Sequence, residues 1–565
     1  MNILGFSLSL LINTILDNLF SMKKFFSFFI GIIVASLSCF SAEQLYADFH
    51  IIPIPKSIEV KNGNPFVLNG ETRIVYAADV DSAMIRNASF LRDFVKQATG
   101  LKLGVSDEKA KKNAIVLKLD NRIAAPEGYE IDVSDKLVKI TASTDAGIFY
   151  GIQTLRKALP YGKTANDINI PAVVVKDSPR MSYRGMLLDC GRHSFPVEDI
   201  KTFIDMLALH NMNIFHWHLT EDQGWRFEVK KYPQLTKKGS VRRGTEIGWS
   251  VGLNDSIPYG GYYTQNDCRE IVKYASERNI TVIPEIDMPG HTQSLLACFP
   301  EVGCTGGPYS VSDHWGVHED ILCAGNEKTY EIIEDILDEV CDVFPSQYIN
   351  IGGDEAPKTR WEKCPKCQDL IKTENIKATP ERSAESALQG YFTRRIEKYL
   401  NDKGRKVIGW NEILESGADT TSAIMNRYGE AATKEAVRAG HDVIVNTTEY
   451  SYFDYPQRED LRLEPKLFPL GRCVPVSKVY QLEPVPAGLT AEEESHIIGV
   501  QANVWGEFIN MLRLAQYQML PRMAATCETQ WIAPEQKVYH DFLRRLPKLT
   551  KIYDVNGYFW CKGIE

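Results

Sequence analysis

The sequence predicts an α/β protein built on a (β/α)8 TIM barrel that follows a small α+β domain. Three observations carry that expectation. Eight short apolar segments alternate with amphipathic helical runs from residue 178 onward, the period of a barrel with loop insertions. The segment before them holds short strands and one or two helices, the pattern of a small mixed domain. No glycine-rich fingerprint opens the first strand-to-helix turn, as a doubly wound nucleotide-binding sheet would require.

At 565 residues the chain exceeds what one ordinary core supports, so a large catalytic domain with a smaller companion is expected. Hydrophobic residues make up 44% and charged residues 24%, both ordinary globular values. The net charge of −9 is spread in mixed signs, and without a Lys/Arg block to track phosphates nucleic acid is not an expected partner.

The N-terminus has the layout of a secretory signal. Lys23 and Lys24 precede an apolar run, Phe25 to Leu37, which ends among Ser36, Ser38 and Cys39. Met22 is then the expected start, residues 1–21 are an upstream extension, and residues 1–42 stand outside the fold. Cys39 is a loose match to a lipoprotein site, and cleavage before Ala42 or Glu43 fits nearly as well. Export follows on either reading: to the periplasm, to the outer surface as a lipoprotein, or free as a secreted protein.

Residues 43–177 are expected to form the small domain. Tyr129, Ile131 and Val133 alternate, a turn follows at Ser134-Asp135-Lys136, and Leu137 to Ile140 returns, which reads as a hairpin. Ile148, Ile152 and Leu155 then have helical spacing. Residues 178–565 hold the barrel and its C-terminal helices. Its expected strands are Arg184–Asp189, Asn213–Leu219, Thr281–Ile286, Tyr348–Gly352, Lys406–Trp410, Ser422–Asn426, Asp442–Asn446 and Ile498–Val504. The runs Ile200, Phe203, Ile204, Leu207, then Ile333, Leu337, Val340, and a long one from Ser383 to Leu400 supply helices.

Of twelve cysteines, eleven would survive processing, and an odd number at irregular spacing is a poor disulfide framework. Cys364-Pro-Lys-Cys367 has the spacing of half a zinc site. No second CxxC or HxxxH follows nearby, so a loop disulfide or two free thiols is the expectation, and no metal.

In a TIM barrel the chemistry is built at the C-terminal ends of the strands, and the unusual residues lie there. The first strand runs into Asp189, Arg192 and His193; the second into His216, His218, Glu221 and Asp222; the third into Glu285, Asp287 and His291. The fourth ends in Gly352-Gly353-Asp354-Glu355, the fifth in Trp410 and Glu412, the eighth in Trp505 and Glu507, and Tyr452 and Asp454 follow the seventh. Two glycines before the acidic pair would let the backbone approach a ligand. His216 and His218 share a strand face, which suggests metal, but no open carboxylate-rich ligand set accompanies them, and core histidines bonded to neighbours are expected. Trp410 and Trp505 offer the faces on which a sugar stacks.

The stretches RGMLLDCGRH, FHWHLTEDQGWR, PEIDMPGH, NIGGDE, GWNEI and VQANVWGE, in this order, resemble glycoside hydrolase family 20, the β-N-acetylhexosaminidases. The resemblance covers the barrel almost completely, and that family also carries a small preceding α+β domain. It implies an exo-acting enzyme on glycans with terminal β-linked N-acetylhexosamine, retaining, and without a protein nucleophile, an exception to the two-carboxylate scheme. The substrate's own acetamide oxygen would attack C1. Glu355, protonated at the start, would be the general acid and Asp354 would hold the acetamide N–H. Tyr452 would bond the carbonyl oxygen, and His291, between Glu221 and Glu355, would tune the acid. Arg192, Asp454 and Glu507 would bind hydroxyls, and Trp410 and Trp505 would wall the pocket. No cofactor and no metal are implied, and oligomeric state is not readable.

Four positions depart from the family's common pattern. Asn350 replaces a usual His, Asn411 a usual Asp, and Glu221 stands where Asp is frequent. Arg427 or Tyr428 falls near a third expected pocket Trp. Arg427 there would admit an anionic, for example sulfated, sugar through charge-assisted contact; alternatively Tyr428 supplies the wall. Two rival functions follow from other readings of the same residues. One is a glycan-binding relative without turnover. The other is a metal-dependent hydrolase using His216, His218, Asp222 and His291, which a chelator would silence.

Overall fold

The computed structural model describes residues 44–78, 80–162, 166–249, 252–465 and 472–564. The expected signal segment and Cys39 lie outside the described residues. Among those described, no helix is long and apolar enough to cross a membrane.

The first layer is a seven-stranded sheet. Its order is Ser57–Val60, Val173–Asp177, Tyr129–Val133, Leu137–Ala142, Ala114–Leu119, Arg73–Val75 and Gly104–Ser106. The expected hairpin is present, with Val133 opposite Val138 and Ile131 opposite Ile140. Its turn is closed by Ser134, whose Oγ accepts from the Leu137 amide at 3.1 Å, the local side-chain bond that suits Ser to turns. The helix Asp145–Ala158 packs on this sheet and buries Ile148, Ile152 and Leu155 completely.

All eight expected barrel strands occur, in sequence order, as a closed parallel barrel: Tyr183–Asp189, Ile214–His218, Thr281–Glu285, Tyr348–Asn350, Lys406–Trp410, Ala423–Asn426, Val443–Val445 and Ile497–Val504. The expected helical runs lie in Val197–Leu209, Glu327–Val343 and Ala384–Asp402, the last opened by Ser383 capping the Ser386 amide. The barrel interior is polar along one row. Both His216 nitrogens are engaged, Nδ1 by Gln501 at 3.0 Å and Nε2 by Asn350 at 3.1 Å and Glu285 at 3.0 Å. Asn446 and Asn503 exchange amide hydrogen bonds at 2.8 and 2.9 Å. A network so closed specifies one register and gives each of these four amides, Asn350, Asn446, Gln501 and Asn503, a buried partner.

The fourth strand stops two residues earlier than expected, and the cause is steric. Gly352 and Gly353 adopt φ of +64° and +92°. A Cβ on Gly352 would sit 1.8 Å from Asp287 Oδ1, and one on Gly353 would sit 2.4 Å from Ile413 Cγ2. The two glycines thus admit Asp287 and Ile413, not the ligand for which the sequence reserved them. The turn they make places Asp354 and Glu355 at the barrel mouth.

The two domains are joined by a buried arginine. Arg184, fully buried in the first barrel strand, reaches Glu127 of the small domain at 2.7 and 2.9 Å, the Tyr150 hydroxyl at 2.9 Å, and the carbonyls of Met181 and Asn211 at 2.9 and 2.8 Å. Removing one partner of such a set strands the rest. Arg184→Met is expected to lower unfolding free energy by about 2–3 kcal/mol, read as the urea midpoint; an unchanged midpoint would contradict this joint.

Cys364 and Cys367 are free thiols, the second of the two expected alternatives, but two further cysteines lie beside them. Cys323 Sγ lies 3.6 Å from each, and Cys304 Sγ lies 3.9 Å from Cys367 Sγ. These neighbours lie far upstream in the sequence, in the loop after the third strand.

Candidate active site

Asp189, fully buried at the end of the first strand, accepts from the Arg192 amide at 3.1 Å, its Nη1 at 2.9 Å and the Gly506 amide at 2.8 Å. It therefore ties the first and eighth strand loops and orients Arg192. Arg192 Nη2 meets Glu221 at 2.8 Å, Nε lies 3.6 Å from Glu507, and the guanidinium stands 5.3 Å from the centre of the Trp505 ring. Burial works against its charge, but three surrounding carboxylates outweigh it and hold Arg192 firmly protonated.

Glu285 closes the floor. It accepts from His216, from His218 Nδ1 and, at 3.0 Å, from the Trp410 indole. Burial favours its neutral form, but the two imidazoles outweigh this and push it far below the usual carboxylate range. Trp410, 1% exposed, and Trp505 stand with ring centres 5.6 Å apart, and Tyr452 lies 6.2 Å from Trp505.

His291 is the hub. Its φ of +52° is a left-handed conformation that costs a non-glycine residue about 1–3 kcal/mol. Nδ1 faces Asp222 at 3.1 Å and Glu221 at 3.3 Å, while Nε2 faces Asp354 at 3.8 Å and Glu355 at 3.6 Å. Burial opposes a charge there, yet Glu221, Asp222 and Glu355 raise its pKa well above the ordinary value, so the ring is an imidazolium at neutral pH.

Asp354 and Glu355 therefore converge on one nitrogen but differ in setting. The Asp354 side chain is 10% exposed and that of Glu355 39%. A cavity of about 400 Å³, lined by Glu355, Lys358, Gln389 and Glu412, opens beside the latter. Glu355, itself at φ +49°, is held down to about 2 by its hydrogen bond to His291 and by Arg427, whose Nη1 lies 3.2 Å away. Asp354 is pushed up to about 6 by burial. In the ligand-free site burial thus favours the neutral form of Asp354 while His291 and Arg427 favour charged Glu355, the reverse of the starting state expected for the general acid.

Arg427 also corrects the sequence reading. Its Nη2 is bonded to Glu412, so the cation sits between two carboxylates with Asp354 nearby and is not open to an anionic sugar. Tyr428, 53% exposed, lines a cavity together with Arg427, Thr448, Glu449 and Arg472. Asn411 Oδ1 accepts from the Arg427 amide at 2.7 Å and Asn426 Oδ1 from that of Tyr428 at 2.9 Å, and the Arg427 guanidinium lies 5.5 Å from the centre of the Tyr428 ring. Asn411 and Asn350 are thus turn-holding residues; Asn350 Oδ1 also accepts from the Gly352 amide at 2.8 Å.

Asp454 and Glu507 complete the far rim. Burial, reinforced by Glu507, pushes Asp454 up to about 8, and burial also raises Glu507. Asp354 Oδ1, Tyr452 Oη and Asp454 Oδ1 are buried without a partner in hydrogen-bonding geometry among the described residues. Buried polar atoms are ordinarily paired, so these three mark where a polar ligand would be bound. The sequence assigned no role to Asp287, which lies 3.2 Å from the Gly353 amide and is pushed up by burial and by Asp354, nor to Glu412. Their positions at strand ends were the available signal.

Three acidic and histidine groups at the mouth could also hold a cation: His218, Glu221 and Asp287; Glu221, Asp222 and His291; Asp287, His291 and Asp354. Of the residues in the metal-hydrolase reading, His216 is absent from all three, its nitrogens being engaged by protein groups.

Comparison with known proteins gives the same family twice. Residues 181–534 match the model of the glycosyl hydrolase family 20 catalytic domain, and residues 48–178 match its domain 2. The chain is 37% identical over 516 residues to a beta-hexosaminidase of Porphyromonas gingivalis and 34% identical over 406 residues to one of Vibrio furnissii, covering 90% and 70% of this chain. It spans 64% of the length of each of these relatives. Among solved structures, a family 20 exo beta-N-acetylglucosaminidase from Vibrio harveyi, in complex with N-acetylglucosamine, superposes with TM-score 0.79 at 29% identity, covering 92% of this chain and 79% of that one. A beta-N-acetylhexosaminidase from Bacteroides fragilis gives 0.76 at 30%, covering 91% and 97%.

Proposed function

We propose that this chain, which belongs to glycosyl hydrolase family 20, is an exported exo-β-N-acetylhexosaminidase that removes terminal β-linked N-acetylhexosamine from glycans. The observation that carries this reading is the set of buried, unpartnered polar atoms at the barrel mouth, Asp354 Oδ1 and Tyr452 Oη above all, beside a more exposed carboxyl, Glu355, that opens on a cavity. An acetamide needs one acceptor and one donor, and these two atoms supply them.

In the reaction, the acetamide oxygen of the sugar attacks C1 while the bond from C1 to the leaving oxygen breaks and Glu355 gives that oxygen its proton. Asp354 accepts the acetamide N–H and offsets the positive charge that grows on the ring. Tyr452 donates to the acetamide oxygen and aims it, which converts a mobile group into a nucleophile of high effective molarity. Water then opens the cyclised intermediate, returning its proton to Glu355, and two inversions leave the anomeric configuration retained. Arg192, Asp454 and Glu507 bind ring hydroxyls; Trp410 and Trp505 wall the sugar.

Without ligand, burial favours the proton on Asp354, and substrate reverses that preference. The acetamide N–H favours charged Asp354, while the leaving sugar covers Glu355, which raises its proton affinity. His291 Nε2, close to both carboxyls, would pass the proton between them. Burial raises Asp354 to about 6 while His291 and Arg427 lower Glu355, so the pair keeps one proton above the ordinary carboxylate range and kcat/KM should fall as pH rises through about 6. Arg427 lowers both carboxyls. Arg427→Leu is therefore expected to move that limb to higher pH, and an unmoved limb would remove Arg427 from the account.

The function itself is tested by hydrolysis of chromogenic β-N-acetylglucosaminides and β-N-acetylgalactosaminides, with and without 6-sulfate, and by inhibition with a thiazoline mimic of the cyclised intermediate. Turnover of the neutral substrates and tight inhibition are expected, with no preference for sulfate, since Glu412 and Glu355 already neutralise Arg427. Absence of turnover on both sugars would leave only a binding protein.

A further inference from the structure

Four cysteines outside the barrel mouth converge on one point. Cys304 and Cys323 come from the long loop after the third strand, and Cys364 and Cys367 flank the start of the helix Pro365–Thr373 in the loop after the fourth. Their sulfurs all lie within 4.8 Å of one another, three of the residues buried and Cys304 partly so. Sulfur separations are 3.6 Å for Cys323–Cys364, 3.6 Å for Cys323–Cys367 and 3.9 Å for Cys304–Cys367. A tetrahedral ion with metal–sulfur bonds of about 2.3 Å requires sulfurs about 3.8 Å apart, and a disulfide requires about 2.05 Å. Four thiols crowded at the first distance match the first requirement.

The backbone is built to hold this spacing. A Cβ on Gly325 would lie 2.2 Å from the Lys366 carbonyl and 2.5 Å from the Cys367 nitrogen, so only glycine lets the two loops touch there. The Cys323 amide donates to Val302 at 2.8 Å and the Trp361 indole to the Leu322 carbonyl at 2.9 Å. Cys364-Pro-Lys-Cys367 forms one half of the site and Cys304 with Cys323 the other, eighteen residues between them.

We propose that Cys304, Cys323, Cys364 and Cys367 bind one structural zinc ion that fastens the loop bearing His291 to the loop bearing Glu355. Four thiolates in a closed tetrahedron select zinc or iron and leave no position open for substrate. The fastening lies close to the hub: the Leu322 amide donates to the Pro289 carbonyl at 3.0 Å, two residues before His291.

The test uses the full chain purified without chelator. Elemental analysis is expected to give roughly one zinc per chain, and cobalt substituted for it should show the thiolate charge-transfer and tetrahedral ligand-field bands of a four-sulfur site. Cys323→Ser and Cys367→Ser should lose most of the metal and lower Tm, while Cys341→Ser, outside the cluster, should keep it. The wild-type cobalt spectrum does not depend on the variants folding. Wild-type protein lacking both zinc and the cobalt spectrum would overturn the site. So would mass spectrometry showing Cys304–Cys367 and Cys323–Cys364 disulfides in the native chain, or iron in place of zinc.

Discussion

Glu355→Gln is expected to lower kcat/KM by about 10³-fold on glycosides whose leaving groups need a proton, and by far less on activated aryl glycosides, since general acid catalysis is worth about 10²–10⁴ in rate. The contrast between the two substrates is the informative part. An amide keeps the shape of Glu355 and its distance to His291 but has no proton to give, so folding and sugar binding should be little changed. Equal losses on both substrates would mean that Glu355 supports the site and does not donate.

Asp354→Asn is expected to cost about 10²–10³-fold in kcat, close to 3–4 kcal/mol, the magnitude of losing one preorganised charge-stabilising contact. Its Oδ1 is buried and unpartnered, and an amide there would present either a donor to the acetamide N–H or an uncharged acceptor to a growing cation. The loss should fall on kcat more than on KM, because the charge it offsets exists only in the transition state. The double variant should lose less than the product of the two single losses, since the carboxyls share one proton and act as a unit.

Much of this arrangement is legible from residue order. Seven of the eight apolar segments run into unusual polar or aromatic residues, and the barrel closes through all eight segments with those ends at one mouth. The hairpin at Ser134 and the helix through Ile148 follow from period two and period 3.6 in the same way. What the sequence withholds is whatever depends on side chains meeting from distant loops. Arg427 reads as an open cation until Glu412 and Glu355 are seen on either side of it. The two glycines at 352 and 353 read as room for a ligand, and the room is taken by Asp287 and Ile413. Cys304 lies 60 residues before Cys364, so the CxxC pair looks solitary along the chain. The proton preference of the acidic pair turns on burial and on which carboxyl the cations pair with, neither of which spacing encodes.

The most direct test of the proposed chemistry is kcat/KM across chromogenic substrates whose 2-acetamido group carries zero, one, two or three fluorines. If the sugar's own amide oxygen is the nucleophile, each fluorine weakens it, and the rate should fall steeply along the series. A flat response would show that a protein carboxylate or a water attacks C1, and the roles assigned to Asp354 and Tyr452 would fall with it.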